Sequence, residues 1–334
     1  MPQELRNRVG GLGWLTGGIL MKTSVAVLAV FFSAATSVAL ADTFGSGANT
    51  FNIDFVTIGN PGNAADTTGN PNPAGSVPYT YRIGTFEISE QMIDKANTLG
   101  GLGITKTTRG ADKPATNVTW NAAARFINWL NTSTGNPPAY KFAAQPAEPN
   151  YSANANIQLW LPSDAGYNPS NLYRNSLARY FLPSVDEWYK AAYYDPASGV
   201  YYDYPTGSNI APDPVAFGTT ARTAVYNGQA GPANIMLAGG LSPYGTMGQG
   251  GNVNEWEETD FDLVNGPSSS LRGIRGGYWV SLAGVLSSSN RGNSGPASGG
   301  IDLGFRVASI PEPSSLPLVA IASVGLLLRR RALR

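Results

Sequence analysis

The sequence predicts an α+β body, loop-rich, with two main amphipathic helices packed on small twisted antiparallel sheets. Three observations predict it. Apolar residues recur at helical spacing behind capping residues, short alternating apolar runs lie between them, and 40 glycines and 24 prolines in 334 residues demand many turns.

The elements follow in chain order. Phe51 to Ile58 (FNIDFVTI) reads as a strand that stops at Asn60-Pro61-Gly62. Residues 60–78 form a turn-rich loop. Tyr79, Tyr81 and Ile83, then Phe86 and Ile88, give a second strand with a bulge at Gly84. Ser89 caps a helix that opens EQMIDKA. A clearer helix runs from Trp120 to Asn131, capped by Thr119, with Trp120, Ala123, Ala124, Ile127 and Leu130 on one face. After Pro183, Ser184 and Glu187 form a capping box, and Val185, Trp188, Tyr189 and Ala192 make the buried face. The remainder is loops and short strands, including Ile274 to Val280 and Leu303 to Ala308, with no internal repeat.

Composition excludes more chemistry than any motif adds. Lys+Arg and Asp+Glu balance at 22 each, so the chain lacks the basic field that holds phosphate backbones, and nucleic acid is not an expected partner. Charged residues are only 13%, against a usual share of about a quarter. There is no cysteine, hence no disulfide, thiolate nucleophile or metal–thiolate site, and no histidine, the commonest general base and transition-metal ligand.

The two ends carry address signals. Met21-Lys22, an apolar run from Val25 to Val38 and Ala39-Leu40-Ala41 before Asp42 have the pattern of a secretory signal peptide over 21–41, the alternative being a core helix. Residues 1–20 are an uncertain N-terminal extension, either a cytoplasmic lead or, as we prefer, sequence upstream of a start at Met21. At the other end Pro311-Glu312-Pro313, an apolar stretch from Leu316 to Leu328 and the cluster Arg329, Arg330, Arg331 and Arg334 stand in that order. The stretch is short for a span of about 20 residues, and the arginines would stay on the cytoplasmic side. This segment, 310–334, resembles the PEP-CTERM sorting signal of exported bacterial proteins. That resemblance implies an exosortase-type processing enzyme as partner, with a short transmembrane segment until the tail is processed. The expected location is the cell surface or the extracellular space.

Between these signals, over 42–309, six segments fall in a recognisable order: YRIGTFEIS at 81–89, PATNVTWNAAARFINWLN at 114–131, FLPSVDEWYKAA at 181–192, GGNVNEW at 250–256, LRGIRGGYW at 271–279 and LGFRVA at 303–308. Together they resemble the formylglycine-generating-enzyme, or sulfatase-modifying-factor, domain. The resemblance implies a modified C-type-lectin-like α+β fold rich in irregular loops. Catalytic members use two cysteines shortly after the RGG segment to bind copper and activate oxygen; those positions fall near Ser281 and Leu286 here. A related branch of iron-dependent sulfoxide synthases needs histidines, which this chain lacks. Neither copper nor iron is expected.

The resemblance also implies a calcium turn at Gly248–Trp256, with the carbonyls of Gly251 and Val253 and the carboxylate of Glu255 as ligands. The family supplies an Asn or Asp side chain where Gly248 stands, so one oxygen is lost from an ion that takes six to eight. The other reading is a metal-free turn in which Glu255 accepts backbone N–H bonds and Trp256 fills the core. Glu257, Glu258, Asp260 and Asp262 read as a solvated acidic loop, a second cation site or half of a hydrolase's carboxylate pair. Arg275 is expected buried against a carboxylate, Glu187 or Glu255, and Arg306 likewise. The glycine-rich loop at 239–251 lacks the ending of a phosphate-binding loop. The tyrosines at 193–194 and 201–204 either pack on the body or line a carbohydrate or peptide surface.

The function expected from these readings is an exported, non-catalytic binding or matrix protein. Its ligand would be a surface polysaccharide or an extracellular protein, with calcium as a possible structural ion. The alternatives are an enzyme of the same family acting by a cysteine-free route, a carboxylate-based hydrolase, and a structural coat with no saturable ligand.

Overall fold

A computed structural model describes residues 40–311. The extension 1–20, nearly all of the signal segment and the apolar tail from 316 lie outside the described residues. Among those described, no helix is long and apolar enough to cross a membrane.

Strands β1 (Leu40–Phe44), β2 (Phe51–Ile58) and β3 (Tyr81–Gly84) open an antiparallel sheet. The boundary expected between Ala41 and Asp42 therefore falls within β1. β3 is shorter than its alternation suggested: it stops at Gly84, whose N–H turns away to Val307 O. Helix α1 (Glu90–Gly100) follows, with Ser89 Oγ accepting Met92 N–H and Gly101 in the left-handed conformation that closes the helix. Helix α2 (Trp120–Ser133) is capped by Thr119 Oγ on Ala122 N–H. Strand β4 (Tyr180–Phe181) leads into α3 (Val185–Tyr193), where the Ser184–Glu187 capping box is present on both sides.

Two small pairs come next: the hairpin β5 (Tyr194–Asp195) and β6 (Val200–Tyr201), and the parallel β7 (Asp213–Pro214) and β8 (Thr223–Ala224). A second sheet is built from β9 (Asn254–Asp260), β10 (Arg272–Arg275), β11 (Gly292–Ser294) and β12 (Leu303–Gly304), in the order β11-β10-β9-β12. Strand β13 (Ala308–Ser309) returns to the first sheet, whose order is β1-β2-β3-β13-β4. The run Leu303 to Ala308, expected as one strand, is thus two strands in two sheets. Likewise β10 ends at Arg275, because Gly276 and Gly277 take positive φ.

Helix α2 departs from a one-faced pattern, since every residue from Trp120 to Asn131 is buried. One side packs on the first sheet, with Phe51 stacked on Phe126 and Trp129 at ring separations of 6.3 and 6.0 Å. The other side lies under the loop that carries Tyr140 and Tyr173, both edge-on to Trp120. Its buried polar residues each make hydrogen bonds, as burial requires, with Asn121 Oδ1 the one fully buried side-chain polar atom of the helix left without a partner among the described residues. Asn128 exchanges two bonds with the Tyr140 backbone, and Asn131 donates to Tyr180 O while accepting from Arg179 N–H and Tyr180 N–H.

Candidate functional site

The acidic run after the GGNVNEW turn is neither a solvated loop nor free. It is strand β9, with Glu255, Glu257, Glu258 and Asp260 all at 0% exposure. A strand places alternate side chains on opposite faces, and both faces of β9 are covered. Each carboxylate has its own cation. Glu255 takes Arg306 through Nε at 2.6 Å and Nη2 at 2.5 Å. Glu257 takes Arg275 Nε at 2.6 Å and Arg291 Nε at 2.8 Å. Glu258 takes Arg174 Nε at 2.8 Å, Asn171 Nδ2 at 2.6 Å and the Tyr140 hydroxyl at 2.9 Å. Asp260 takes Arg272 Nη1 at 2.5 Å and the Tyr173 hydroxyl at 2.8 Å. Only Asp262 of the original group is exposed.

Arg275 is buried as expected, but its partner is Glu257 rather than Glu187 or Glu255. Glu187 belongs instead to Arg174, at 2.8 and 3.0 Å, and to the Tyr79 hydroxyl. Gly273 makes room for this arrangement: a Cβ there would stand 2.0 Å from Glu257 Oε2.

Gly251 and Val253 lie in the turn that leads into β9, and Glu255 is committed. Besides Arg306, its Oε2 accepts the Trp188 indole N–H at 2.7 Å. A guanidinium on both carboxylate oxygens, and no side chain at position 248, leave far fewer than the six to eight oxygens that calcium takes. The arrangement as it stands does not fit that ion. Among the described residues no group of three or more acidic side chains is placed to hold a metal.

A residue the sequence did not flag lies beside the turn. Glu87 is buried; its Oε1 accepts Asn252 Nδ2–H at 2.8 Å and its Oε2 has no partner among the described residues. Its carboxyl occupies the space a side chain at 248 would need, since a Cβ on Gly248 would lie 2.6 Å from Oε1. Burial, reinforced by the charge of Glu255, pushes the Glu87 carboxyl up to about 8.

The two residues near which the resemblance puts the family's cysteines, Ser281 and Leu286, are both held by the body. Leu286 is fully buried against Ala224 and Tyr226, and its carbonyl accepts the Tyr193 hydroxyl at 3.1 Å. Ser281 Oγ accepts Tyr278 N–H at 3.0 Å. Of the tyrosine group, Tyr193 and Tyr194 are buried, and the Tyr201 ring lies tilted 4.9 Å from Tyr194 with its hydroxyl donating to Gly75 O. Those rings pack on the body.

An open cleft of about 380 Å³ lies at the start of α3, lined among others by Pro71, Pro73, Tyr79, Asn168, Ser170 and Asn265. Asp186 stands in it, with Oδ1 accepting Gly75 N–H at 2.7 Å, and burial raises its pKa. Neither Asp186 nor Arg174, which closes the cleft beneath, was singled out by sequence. Asp186 looked like an ordinary first-turn acid of a helix, and Arg174 sits in a loop without periodicity.

Comparison with known proteins bears on this architecture. The PEP-CTERM protein-sorting motif matches residues 309–331, which implies export, surface sorting and processing by an exosortase-type system. Treponema denticola variable protein 1 superposes with a TM-score of 0.55 at 19% identity, covering 82% of this chain and all (100%) of its own. CarF gives 0.56 at 18% identity, with 78% of this chain and 99% of its own covered. PvdO from Pseudomonas aeruginosa gives 0.50 at 17% identity, with coverage of 81% and 98%. These likenesses concern the fold. No match was found among curated protein sequences. The sulfatase-modifying factor enzyme 1-like domain matches residues 51–310, and the chain belongs to that family.

Proposed function

We propose that this protein is a non-catalytic binding protein of the cell surface or extracellular matrix, using the family's scaffold without its oxidative chemistry. The observation that carries the reading is Leu286. Where a thiol would bind copper, an aliphatic side chain is packed into Ala224 and Tyr226, in a chain with no cysteine or histidine. The ligand would be a surface polysaccharide or an extracellular protein, and the C-terminal stretch would hold the chain at the membrane until processing.

A carboxylate-based hydrolase is disfavoured because Glu257, Glu258 and Asp260 are buried and paired to arginines. No part of this reading runs through calcium.

The test is binding of the purified protein to extracellular polymer from the source cells, with calcium and with chelator, beside an oxidation assay on a cysteine-containing peptide. Saturable binding in both conditions, without turnover, is the expected result. Copper-dependent oxidation of the peptide would sink the reading, and binding lost in chelator would return calcium to the Glu255 turn.

A further inference from the structure

We infer that the cleft at the start of α3 is a saccharide subsite that takes non-anionic pyranose units of an extracellular polysaccharide. The inference rests on the binding-protein reading and names the ligand class for it.

Three polar side chains of this cleft keep hydrogen-bonding capacity that the fold does not use, while Asn171, Thr259 and Asn265 beside them are bonded. Asp186 uses only Oδ1, on Gly75 N–H, and Oδ2 has no partner among the described residues. Asn168 Oδ1 accepts Ser170 N–H at 3.0 Å, which leaves its amide NH₂ without a partner, and the Ser170 hydroxyl has none either. The cleft therefore presents a carboxylate oxygen, an amide donor and a hydroxyl. A carboxylate accepts from sugar hydroxyls while an amide NH₂ donates to them, so this set matches a polyol better than an apolar ligand.

The walls supply the second half of the match. Tyr79 is 39% exposed, and its hydroxyl is held on Glu187 Oε1 at 2.7 Å, which fixes the ring in place. Pro71 and Pro73 add rigid flat faces. Such faces suit the apolar side of a pyranose ring, and their order before binding lowers the entropy cost of association. The volume of about 380 Å³ lies within the usual small-ligand range of roughly 300–1,000 Å³.

Charge sets the class. Of the cations near the cleft, Arg174 is paired with both Glu187 and Glu258, and Arg275, whose charge also reaches Asp186, is held by Glu257. Asp186 therefore faces the cleft without a compensating cation, and uronate or sulfated sugars would meet a carboxylate. Neutral and amino-substituted pyranosides would not. The loop carrying Pro71 also touches the segment around Leu286, through Asn70 N–H on Ser288 O at 3.1 Å. The subsite thus lies beside the former oxidative centre and not within it.

The test uses the full chain in mild detergent, titrated against a neutral glucan, an amino-sugar polymer and a polyuronate. Asp186→Asn keeps the acceptor for Gly75 N–H, and Asn168→Ala changes a half-buried loop residue, so neither should prevent folding. The expected result is binding of a non-anionic polymer that each variant weakens by about tenfold, the equivalent of about 1.4 kcal/mol, with an unchanged melting temperature. If the parent protein binds such a polymer and both variants bind equally well, the cleft is overturned while the binding reading stands. Binding confined to the polyuronate overturns the ligand class. If neither these polymers nor whole extracellular material binds, the binding reading fails with it.

Discussion

Strand β9 and the Asp186 cleft are both rich in hydrogen-bonding side chains, yet they commit them in opposite ways. Along β9 every carboxylate from Glu255 to Asp260 is buried and bonded to an arginine, so its charge holds the two sheets and the surrounding loops in register. In the cleft, Asp186 Oδ2, Asn168 NH₂ and Ser170 Oγ face solvent without a partner. The contrast separates charge that builds the scaffold from polarity left for a ligand.

The largest expected effect tests the first half of that contrast. Arg306→Met would leave Glu255 buried beside Trp188 without its cation and free Gly84 O and Met247 O from their donor. Breaking such a buried pair costs about 3–5 kcal/mol. Chemical denaturation should show that loss, and a loss below about 1 kcal/mol would mean the pair is replaceable by water.

Glu87 should break the pattern in the other direction. Its folded pKa of about 8 lies above the ordinary value of 4.5, so the native state holds a proton the unfolded chain has released. Stability contributed by this group therefore falls as pH rises from 4.5 toward about 8 and is level beyond. Glu87→Gln keeps an acceptor for Asn252 and cannot ionise. The variant should nearly match the parent near pH 5 and exceed it by about 4 kcal/mol at pH 9. Equal stability at pH 9 would show that Glu87 is ionised at little cost, as a bound cation would allow.

Smaller effects calibrate the scale. Thr119→Ala removes the cap of α2 and should cost about 1 kcal/mol in a thermal melt. Asn168→Ala should change stability by only about 0.5 kcal/mol, as expected for a half-buried loop residue whose one side-chain bond is local, to Ser170 N–H. A larger loss would place Asn168 among the scaffold residues and blur the contrast.

The same division explains what the sequence disclosed. The caps at Ser89, Thr119 and Ser184 were legible because a cap is completed within three residues of itself. The burial of Glu187, Glu257, Glu258 and Asp260 was not, because each depends on an arginine far along the chain: Arg174, Arg275, Arg291 or Arg272. Read locally, four acids in six residues look solvated. Arg306 splits the run Leu303 to Ala308 between two sheets by reaching Glu255, Gly84 and Met247 at once, which strand periodicity cannot foresee. The cleft was illegible for a related reason: its walls come from residues 71–79, 168–170, 186 and 265, which only the fold brings together.

Arg82 carries one further consequence. Its Nε donates to Ser309 Oγ at 3.0 Å, while Nη1 and Nη2 hold the Asp42 carboxylate at 3.0 and 2.6 Å. One guanidinium thus joins Asp42 in β1 to Ser309 in β13, close to the two ends of the described residues. For the same reason a short linker from Ser309 to Asp42 could close the body into a ring, with new ends opened in a surface loop.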